Sequence, residues 1–432
     1  MSLRQVLCLL FFGLVSAQNL SDSQTANVTA NLALGATHPW ELGTRAQVLL
    51  EHDVPLFSVF SLTLPPSSIP SNTTAAISPV LSIAKSVVQN RTASNGNITG
   101  PQPLVADDSA GDPASIGPAV LLANWTNLGD GVDYAGAALD QLNFLYEKVP
   151  KTSDGAISHR TAEVQLWSDF VYMAPPFLAY YGLLTNNQTL LMDAYTQIKL
   201  YRNYLRDTAA GNLWAHIVLG NNSNGVPNDP GHWSTGNGWA AAGMLRVLAS
   251  IQTSTFSSSM KSEQSDLQDW VSEIHAAIYP HLDPTSNLFF NYADEMNTFL
   301  DAASTALIAS TVYRLSLLRG VHTHLPDAEK SRQALFNTTS SSSSSSSSNF
   351  TGFTHFSSDG WLTPVVNPDD FGNNGSDSPE SEAFVLDLQA TWTEWVNGGS
   401  QGANGAEKLG LGTNSGVMIF FMTAFSMSWI LL

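Results

Sequence analysis

The stretch QTLLMDAYTQIKLYRNYL, residues 188–205, carries the pattern that decides the fold class. Its apolar residues recur three or four positions apart, at Leu191, Ala194, Ile198, Tyr201 and Leu205. This spacing places them on one face of an α-helix and the polar residues on the other. The stretch is therefore predicted to be an amphipathic helix that packs one face into a core.

The same spacing recurs along most of the chain. Further helices are predicted around residues 80–88, 133–149, 239–251, 267–278, 307–318 and 384–395. The alternation typical of strands is sparse, and residues 56–62 are its best candidate. Many amphipathic helices joined by alternating short and long loops indicate a closed, double-layered helical ring or an α-solenoid. No repeat of about 34 or 40 residues is visible, which weakens the solenoid.

Composition excludes several classes of function. The chain has 432 residues, and 17 Lys and Arg against 36 Asp and Glu give a net charge of −19. Nucleic-acid binding needs a basic surface, so no nucleic-acid partner is expected. The apolar share of 43% suits a large core. The only cysteine, Cys8, lies in a segment expected to be removed, so no disulfide, thiolate nucleophile or Cys-based zinc site is expected.

Both ends of the chain are predicted to be targeting segments. Residues 1–17, MSLRQVLCLLFFGLVSA, combine Arg4, an apolar stretch and a small-residue cleavage site, as a secretory signal peptide does. Residues 401–416 offer a small-residue site and a spacer, and the apolar residues 417–432 follow, as in a GPI-attachment signal. The alternatives for the last segment are a buried C-terminal helix and a tail-anchored span.

These signals predict an extracellular protein attached to the plasma membrane or cell wall through a GPI lipid, with no other membrane contact. Residues 18–40 are predicted to be an N-terminal extension, and residues 41–400 one domain. Nine consecutive serines, residues 340–348, cannot pack into a core, so 337–349 is predicted to be an exposed insertion. A glycosylated monomer is expected.

Candidate catalytic residues are densest in residues 158–182, which contain His159, Arg160, Trp167 and Asp169. Asp169 stands between aromatic and apolar neighbours, where ionising a carboxyl is costly. Its pKa is therefore expected to rise toward neutrality, as a general acid requires. The alternative is that Asp169 caps the helix that follows it, and the local sequence leaves both roles open.

Two further segments offer groups suited to a sugar. In DPGHWSTGNGW, residues 229–239, Trp233 and Trp239 flank a Gly-rich turn and could present flat apolar faces, with Asn237 as a hydrogen-bonding partner. The alternative is a loop that enters a helix, with one of the two tryptophans in the core. His216 closes the segment GNLWAH, and by itself it is more typical of a structural histidine.

Asp112 lies in the loop sequence DDSAGDPASIG, just before a predicted helix. It is a second candidate carboxylate, or Asp112 and Pro113 are simply a helix N-cap and the proline that often follows one. The sequence contains no G-x-S-x-G elbow, P-loop or H-E-x-x-H motif. No motif therefore indicates a metal or an organic cofactor.

Taken in order, LWSDFVYMAPPFLAYYG (166–182), GNLWAH (211–216) and HWSTGNGW (232–239) resemble the unsaturated rhamnogalacturonyl hydrolases of glycoside hydrolase family 105. More exactly, they resemble the fungal secreted relatives of these enzymes. The similarity extends from about Asp112 to Leu318, and the order and spacing of the motifs are more specific than any one of them. The resemblance implies an all-α fold, the (α/α)6 toroid of six helical hairpins, which agrees with the helix pattern.

The resemblance also implies roles for individual residues. Asp169 matches the family's general acid and base. The residues expected to bind substrate are Asp112, His159, Arg160, Trp167, His216, Trp233, Asn237 and Trp239. One departure matters: the family has an Arg between its two tryptophans that helps to hold the uronate end of the substrate, and this chain has Thr235. A hydroxyl cannot replace the bidentate contact of a guanidinium with a carboxylate.

The reaction that the resemblance implies needs no metal or cofactor. Asp169 would protonate C4 of a 4,5-unsaturated uronyl residue and direct water to C5, so that pectin-derived oligosaccharides lose that residue. One alternative is an inverting glycosidase on the same fold and another cell-wall polysaccharide, with Asp169 and Asp112 as its two carboxyls. Another is a surface protein that binds an oligosaccharide or polysaccharide without catalysis.

Overall fold

The protein is described by a computed structural model that covers residues 19–61, 64–65, 68–94, 100–221, 226–338 and 350–403. The predicted signal peptide, the serine run and most of the predicted GPI signal lie outside these residues. In the described ranges no helix is both long and apolar enough to cross a lipid bilayer. Nor do His, Cys, Asp and Glu side chains of those ranges form a group of three that could hold a metal ion.

Helices make up most of the described chain. In chain order they are α1 (Asp22–Gly35), α2 (Pro39–His52), α3 (Thr74–Ser94), α4 (Gly111–Ser115), α5 (Gly117–Thr126), α6 (Tyr134–Glu147), α7 (Phe170–Met173), α8 (Pro175–Leu184), α9 (Gln188–Leu205), α10 (Ser234–Thr253), α11 (Lys261–Ile278), α12 (Ala302–Arg319), α13 (Leu325–Leu335) and α14 (Pro379–Asn397). Every helix predicted from the apolar spacing is present.

These helices form two concentric layers. Along the inner layer α2 packs on α4 and α5, these on α7 and α8, then α10, α12 and α14 follow, and α14 returns to α2. The outer helices α3, α6, α9, α11 and α13 each pack against an inner helix next to them in sequence, and α1 packs against α14. The ring of six hairpins is therefore closed, and the predicted all-α (α/α)6 fold is confirmed. The helix α1 lies within residues 18–40, so the ring uses residues that precede residue 41.

Burial distinguishes the two layers. In α9, an outer helix, the predicted face of Leu191, Ile198 and Tyr201 is buried, while Lys199 and Asn203 on the opposite face are exposed. In α10, an inner helix, every residue from Ser234 to Ile251 is buried, because neighbours cover it on all sides. The sequence of an inner helix accordingly has apolar or small residues on all sides, whereas the sequence of an outer helix is amphipathic.

Short strand pairs lie in the connections that lead into the inner helices. The antiparallel pairs are β1 (Leu166–Trp167) with β4 (Ile217–Val218), β2 (Arg206–Asp207) with β3 (Leu213–Trp214), β5 (Phe289–Phe290) with β6 (Leu300–Asp301), and β7 (Val365–Asn367) with β8 (Asp370–Gly375). The prediction of a strand at residues 56–62 is wrong. Pro55–Phe57 form a 3-10 turn there, and the proline has no N–H to give to a strand ladder.

The inner helices begin at one end of the ring, which we call the mouth. Thr235 at the start of α10 donates to Asp301 at the start of α12, and Asp112 at the start of α4 interacts with the charge of Asp169 at the start of α7. Helix N-termini carry partial positive charge, which favours carboxylates placed there. The mouth is thus a place where a protein this acidic can gather carboxyl groups.

Candidate active site

Asp169 lies at the mouth, directly before α7. No backbone N–H of that helix donates to its side chain. Its Oδ2 instead accepts a hydrogen bond from Ser168 Oγ at 3.1 Å and lies 3.5 Å from His216 Nε2. The side chain is 14% exposed, so a ligand can reach it. Asp169 occupies the N-cap position of α7, as the alternative expected, but its side chain makes no capping hydrogen bond, so the carboxylate is free for chemistry.

His216 connects Asp169 to a second carboxylate, Asp229. The His216 Nδ1 atom lies 2.9 Å from Asp229 Oδ2, and Tyr292 donates its hydroxyl proton to the same oxygen at 2.7 Å. Burial acts to lower the pKa of His216, but the carboxylates on its two sides outweigh burial and raise it. The two flanking carboxylates therefore favour the protonated form of His216.

The pKa of Asp169 departs from the sequence-based expectation. Burial does act to raise it, but the contact with His216 outweighs burial and holds the pKa of Asp169 below its ordinary value. The expected rise toward neutrality is therefore wrong. Asp169 is ionised at neutral pH, and the raised pKa of His216 favours a proton on the ring beside it.

Asp112 has the opposite protonation. It lies inside the first turn of α4, whose N-cap is Ala110, so the N-cap role considered for Asp112 is wrong. Burial first, and then the charges of Asp107 and Asp169, raise the pKa of Asp112 well above its ordinary value. Its Oδ1 lies 3.7 Å from Nε2 of His159, a neutral imidazole because burial lowers its pKa to about 3. The mouth thus holds one carboxyl whose environment favours the protonated form and one whose environment favours the ionised form.

Aromatic rings border these groups. Trp167 stacks on His159 with ring centroids 4.7 Å apart, and it lies nearly perpendicular to His216 with ring centroids 5.4 Å apart. Phe371, from β8, packs perpendicular to His216 at 4.5 Å and helps to exclude water from it. The sequence analysis singled out Trp167 but missed Phe371, since nothing in the hairpin sequence links it to a motif some 150 residues earlier.

Two of the residues expected to bind sugar are structural. Trp239 is 1% exposed and packs between Tyr172 and Phe384 in the core. Asn237 is fully buried, its amide donates to two backbone carbonyl oxygens, and its oxygen accepts from the backbone N–H of Trp214. The expectation that Trp239 and Asn237 contact substrate is therefore wrong.

Trp233 lies beside the site without offering it an open face. Its ring centroid is 4.5 Å from that of His216, and its indole N–H donates to Asn291 at 3.0 Å. Only 4% of Trp233 is exposed, so its role is to pack against the ring of His216. Thr235, at the position of the family's Arg, is fully buried and donates to Asp301 at 3.0 Å. It does not face a ligand.

Two groups that sequence reasoning missed come from the last and first hairpins. Glu380, in the first turn of α14, is 5% exposed, and its side chain is hydrogen-bonded to that of Trp40. Burial, followed by the charge of Glu41, raises the pKa of Glu380 well above its ordinary value, and the charges of Asp169 and Asp112 add to the rise. The closure of the ring brings these residues to the mouth.

Comparisons with known proteins agree with this architecture. A family profile described as Glycosyl Hydrolase Family 88 matches residues 74–354. Over 207 residues the chain is 27% identical to the unsaturated rhamnogalacturonyl hydrolase YesR of Bacillus subtilis (strain 168). That match covers 46% of this chain and 56% of YesR, little more than half the length of the relative.

Solved structures share the fold. A possible member of the GH105 family from Klebsiella pneumoniae subsp. pneumoniae MGH 78578 aligns with a TM-score of 0.62 at 18% identity, over 87% of this chain and 93% of that one. Unsaturated glucuronyl hydrolase from Bacillus sp. GL1 aligns with a TM-score of 0.53 at 12% identity, over 86% and 95%. Because the family match covers well over half of its residues, the chain belongs to Glycosyl Hydrolase Family 88.

Proposed function

We propose that the protein is a glycoside hydrolase that removes unsaturated uronyl residues from pectin-derived oligosaccharides. The observation that carries the proposal is the contact of a partly exposed Asp169 with the buried ring of His216, whose pKa is raised, at the mouth of the ring of helices. Family membership supports the reaction class, and the name of YesR supports the substrate class.

In the proposed reaction, water adds across the 4,5 double bond of the terminal uronyl residue. Asp169 takes the Nε2 proton of His216 as it delivers a proton to C4, and positive charge develops at C5. Water attacks C5 and gives its proton to Asp169, which returns it to His216. The hemiketal formed at C5 opens, and the hemiacetal left at C1 releases the remaining sugar. One carboxylate thus handles both proton transfers, in contrast to glycosidases with two catalytic carboxyls.

The direct test of this function follows the double bond. Purified protein, residues 18–403, is incubated with unsaturated oligogalacturonides, and ultraviolet absorbance is recorded together with release of the shortened sugar. Hydration removes the conjugated double bond, so absorbance is expected to fall at the rate of sugar release. Release of sugar from saturated oligosaccharides, with the absorbance of the unsaturated ones unchanged, would contradict the proposal.

Replacing Asp229 is expected to change the pH dependence. The pKa of His216 is raised, so its charged form and the activity that depends on it persist above the ordinary histidine value and decline as pH rises through the raised pKa. In Asp229→Asn one of the two stabilising anions is lost. The alkaline limb of kcat/KM is expected to move to lower pH by about one unit or more.

The measurement is a pH–rate profile, with the His216 ring titrated by NMR. Asp294→Asn is the matched control, since Asp294 Oδ2 lies 2.8 Å from Nδ1 of a different histidine, His232. That control is expected to leave the limb in place. An unchanged limb in Asp229→Asn would show that the charge of His216 does not govern the reaction.

One observation favours a second candidate function. Burial favours the protonated form of Asp112, and His216 favours the ionised form of Asp169, which is the pairing of acid and base in an inverting glycosidase. In that reaction Asp112 would protonate the leaving oxygen and Asp169 would activate water. Turnover of saturated oligosaccharides with inversion at the anomeric carbon, followed by NMR of the fresh product, would favour this candidate.

We also propose that the protein is secreted and held at the cell surface by a GPI lipid. The support is the sequence alone, through residues 1–17 and 401–432. Treatment of intact cells with a phosphatidylinositol-specific phospholipase is expected to release the protein. Retention after treatment, with a known GPI protein released in parallel, would contradict the anchor.

A further inference from the structure

We propose that Arg160 binds the carboxylate of the uronyl residue and that Asp108 occupies that position as a displaceable counter-ion when no substrate is bound. The inference rests on the proposed function and names the residue that selects its substrate class. It concerns recognition of a negative charge and not the proton transfers of Asp169.

The first step is that another group must meet a uronate in this chain. The side chain of Thr235 is turned into the protein, where it donates to Asp301, and it is fully buried. The mouth also gathers carboxyls, among them Asp169 and Asp229. An anionic substrate entering such a site needs a local cation, since the net charge of the chain opposes its approach.

Arg160 is a guanidinium at the edge of this site. Its central carbon lies 5.9 Å from the ring centroid of Trp167, which also stacks on His159. The backbone around it is held in place: Arg160 forms a bridge with Ser109, and the Thr161 N–H donates to the Asp108 carbonyl at 2.9 Å. A planar cation held against an indole loses little freedom when it binds a ligand.

The hydrogen-bonding capacity of Arg160 is largely unused. Its Nε atom is buried and has no hydrogen-bond partner. Its terminal nitrogen lies 3.5 Å from Asp108 Oδ2, an ion pair longer than a good hydrogen bond, and the Asp108 side chain is 89% exposed. Such an exposed pair is weak, whereas a carboxylate that engages two N–H groups of a guanidinium is bound strongly. Asp108 can therefore leave when a better placed carboxylate arrives.

Two other carboxyls lie near this guanidinium. The charge of Arg160 acts on both Asp107 and Asp112, but burial raises the pKa of each. Burial therefore acts against the ionised forms of both neighbours, and neither forms an ion pair with Arg160, whose ion-pair partner is Asp108. Positive charge remains available to a ligand.

The kinetic test uses two variants with opposite expected effects on one substrate. For an unsaturated digalacturonate, Arg160→Gln is expected to raise KM by about 10- to 100-fold, the range of a charge-assisted hydrogen-bond pair. Asp108→Asn is expected to lower KM about two- to fivefold, because it removes the competing anion. For the same substrate methyl-esterified on the unsaturated residue, both variants are expected to stay within about twofold of wild type.

Arg319→Gln is the control, since it removes a positive charge from the last turn of α12, at the end of that helix remote from the mouth. Arg160→Lys is expected to recover only part of the loss, because an ammonium keeps the charge without the two-pronged geometry. Equal effects of Arg160→Gln on the acid and its ester, or a raised KM in Asp108→Asn, would overturn the proposal.

A binding experiment separates this inference from the proposed function. Galacturonate and its methyl ester are titrated into the wild type and both variants by calorimetry or ligand-observed NMR. Wild type is expected to prefer the acid, Asp108→Asn to prefer it more and Arg160→Gln to lose the preference. That pattern without turnover of unsaturated substrates supports the carboxylate site and refutes the hydrolase, whereas turnover without an Arg160-dependent preference does the reverse.

Discussion

An Asp169→Asn protein is expected to lose about 10³-fold or more of kcat on an unsaturated oligogalacturonide, with KM within about threefold of wild type. The amide has nearly the shape of the carboxylate and can still accept a hydrogen bond from Ser168. It cannot take the Nε2 proton of His216 and pass it to carbon, so the proton relay is lost. Positioned acid–base groups contribute roughly 10²- to 10⁴-fold, and here one group would serve both transfers.

The measurement is steady-state kinetics from the ultraviolet absorbance, with thermal unfolding of each variant to establish that the fold is intact. Asp294→Asn is the matched change of carboxylate to amide and is expected to keep kcat within a fewfold. Asp112→Asn separates the two candidate reactions: hydration predicts a smaller loss than in Asp169→Asn, and an inverting mechanism predicts losses of similar size. A folded Asp169→Asn protein with kcat within tenfold of wild type would contradict both candidate reactions.

The ring was predictable because its signal is local. The spacing of apolar residues within 188–205 predicts both the helix and its buried face. The continuous run of apolar and small residues in an inner helix such as α10 likewise indicates a helix that is buried on all sides. Their order around the ring follows from chain order and from short connections between hairpins. The spacing of apolar residues does not define the first residue of each helix. This uncertainty explains why two residues, Asn237 and Trp239, were wrongly expected to contact substrate. With Trp233 at the N-cap of α10, Asn237 and Trp239 lie inside the helix.

The site was predictable only as far as its motifs reach. Asp169, Trp167 and His216 come together because β1 pairs with β4 and carries their segments side by side. The pKa of Asp169 was expected to be raised because its neighbours in sequence are apolar, but it is lowered in the structure. The group that lowers it, His216, lies 47 positions further along the chain. Phe371 and Glu380 arrive from the last hairpin and carry no signal that single-sequence reasoning could use.

Arg246→Met is expected to lower the free energy of unfolding by about 3–5 kcal/mol, because it leaves a buried acid without its partner. The Arg246 terminal nitrogen lies 2.7 Å from Glu51 Oε1, and the two side chains are 4% and 2% exposed. The guanidinium also lies over the ring of Tyr172, 4.6 Å from its centroid. This ion pair joins inner helices α10 and α2 inside the ring, so its loss loosens packing across the ring.

The size of the loss is expected to depend on pH. Burial raises the pKa of Glu51 to about 8 even with Arg246 present, and removing Arg246 raises it further. An acid whose pKa is higher in the folded protein than in the unfolded chain stabilises the fold only while it is protonated, so stability falls as pH rises between the two values. Below about pH 8 Glu51 is protonated in both folded proteins and their stability falls with the same slope, whereas above it only the variant continues to lose stability. The deficit of Arg246→Met is therefore expected to be larger at pH 9.5 than at pH 7. Urea unfolding at both pH values measures it.

The double variant Arg246→Met with Glu51→Leu tests the cause, since replacing both charges by apolar groups removes the stranded acid. The double variant is expected to regain most of the lost stability. It is also expected to lack the additional pH dependence of the single variant, because the titrating carboxyl is gone. Arg206→Met is the control, because Arg206 is more exposed and its partner Glu273 keeps Arg202. That control is expected to cost about 1 kcal/mol or less. A double variant as unstable as Arg246→Met would mean that the packing of the guanidinium against Tyr172, and not the charge of Glu51, holds this part of the ring together.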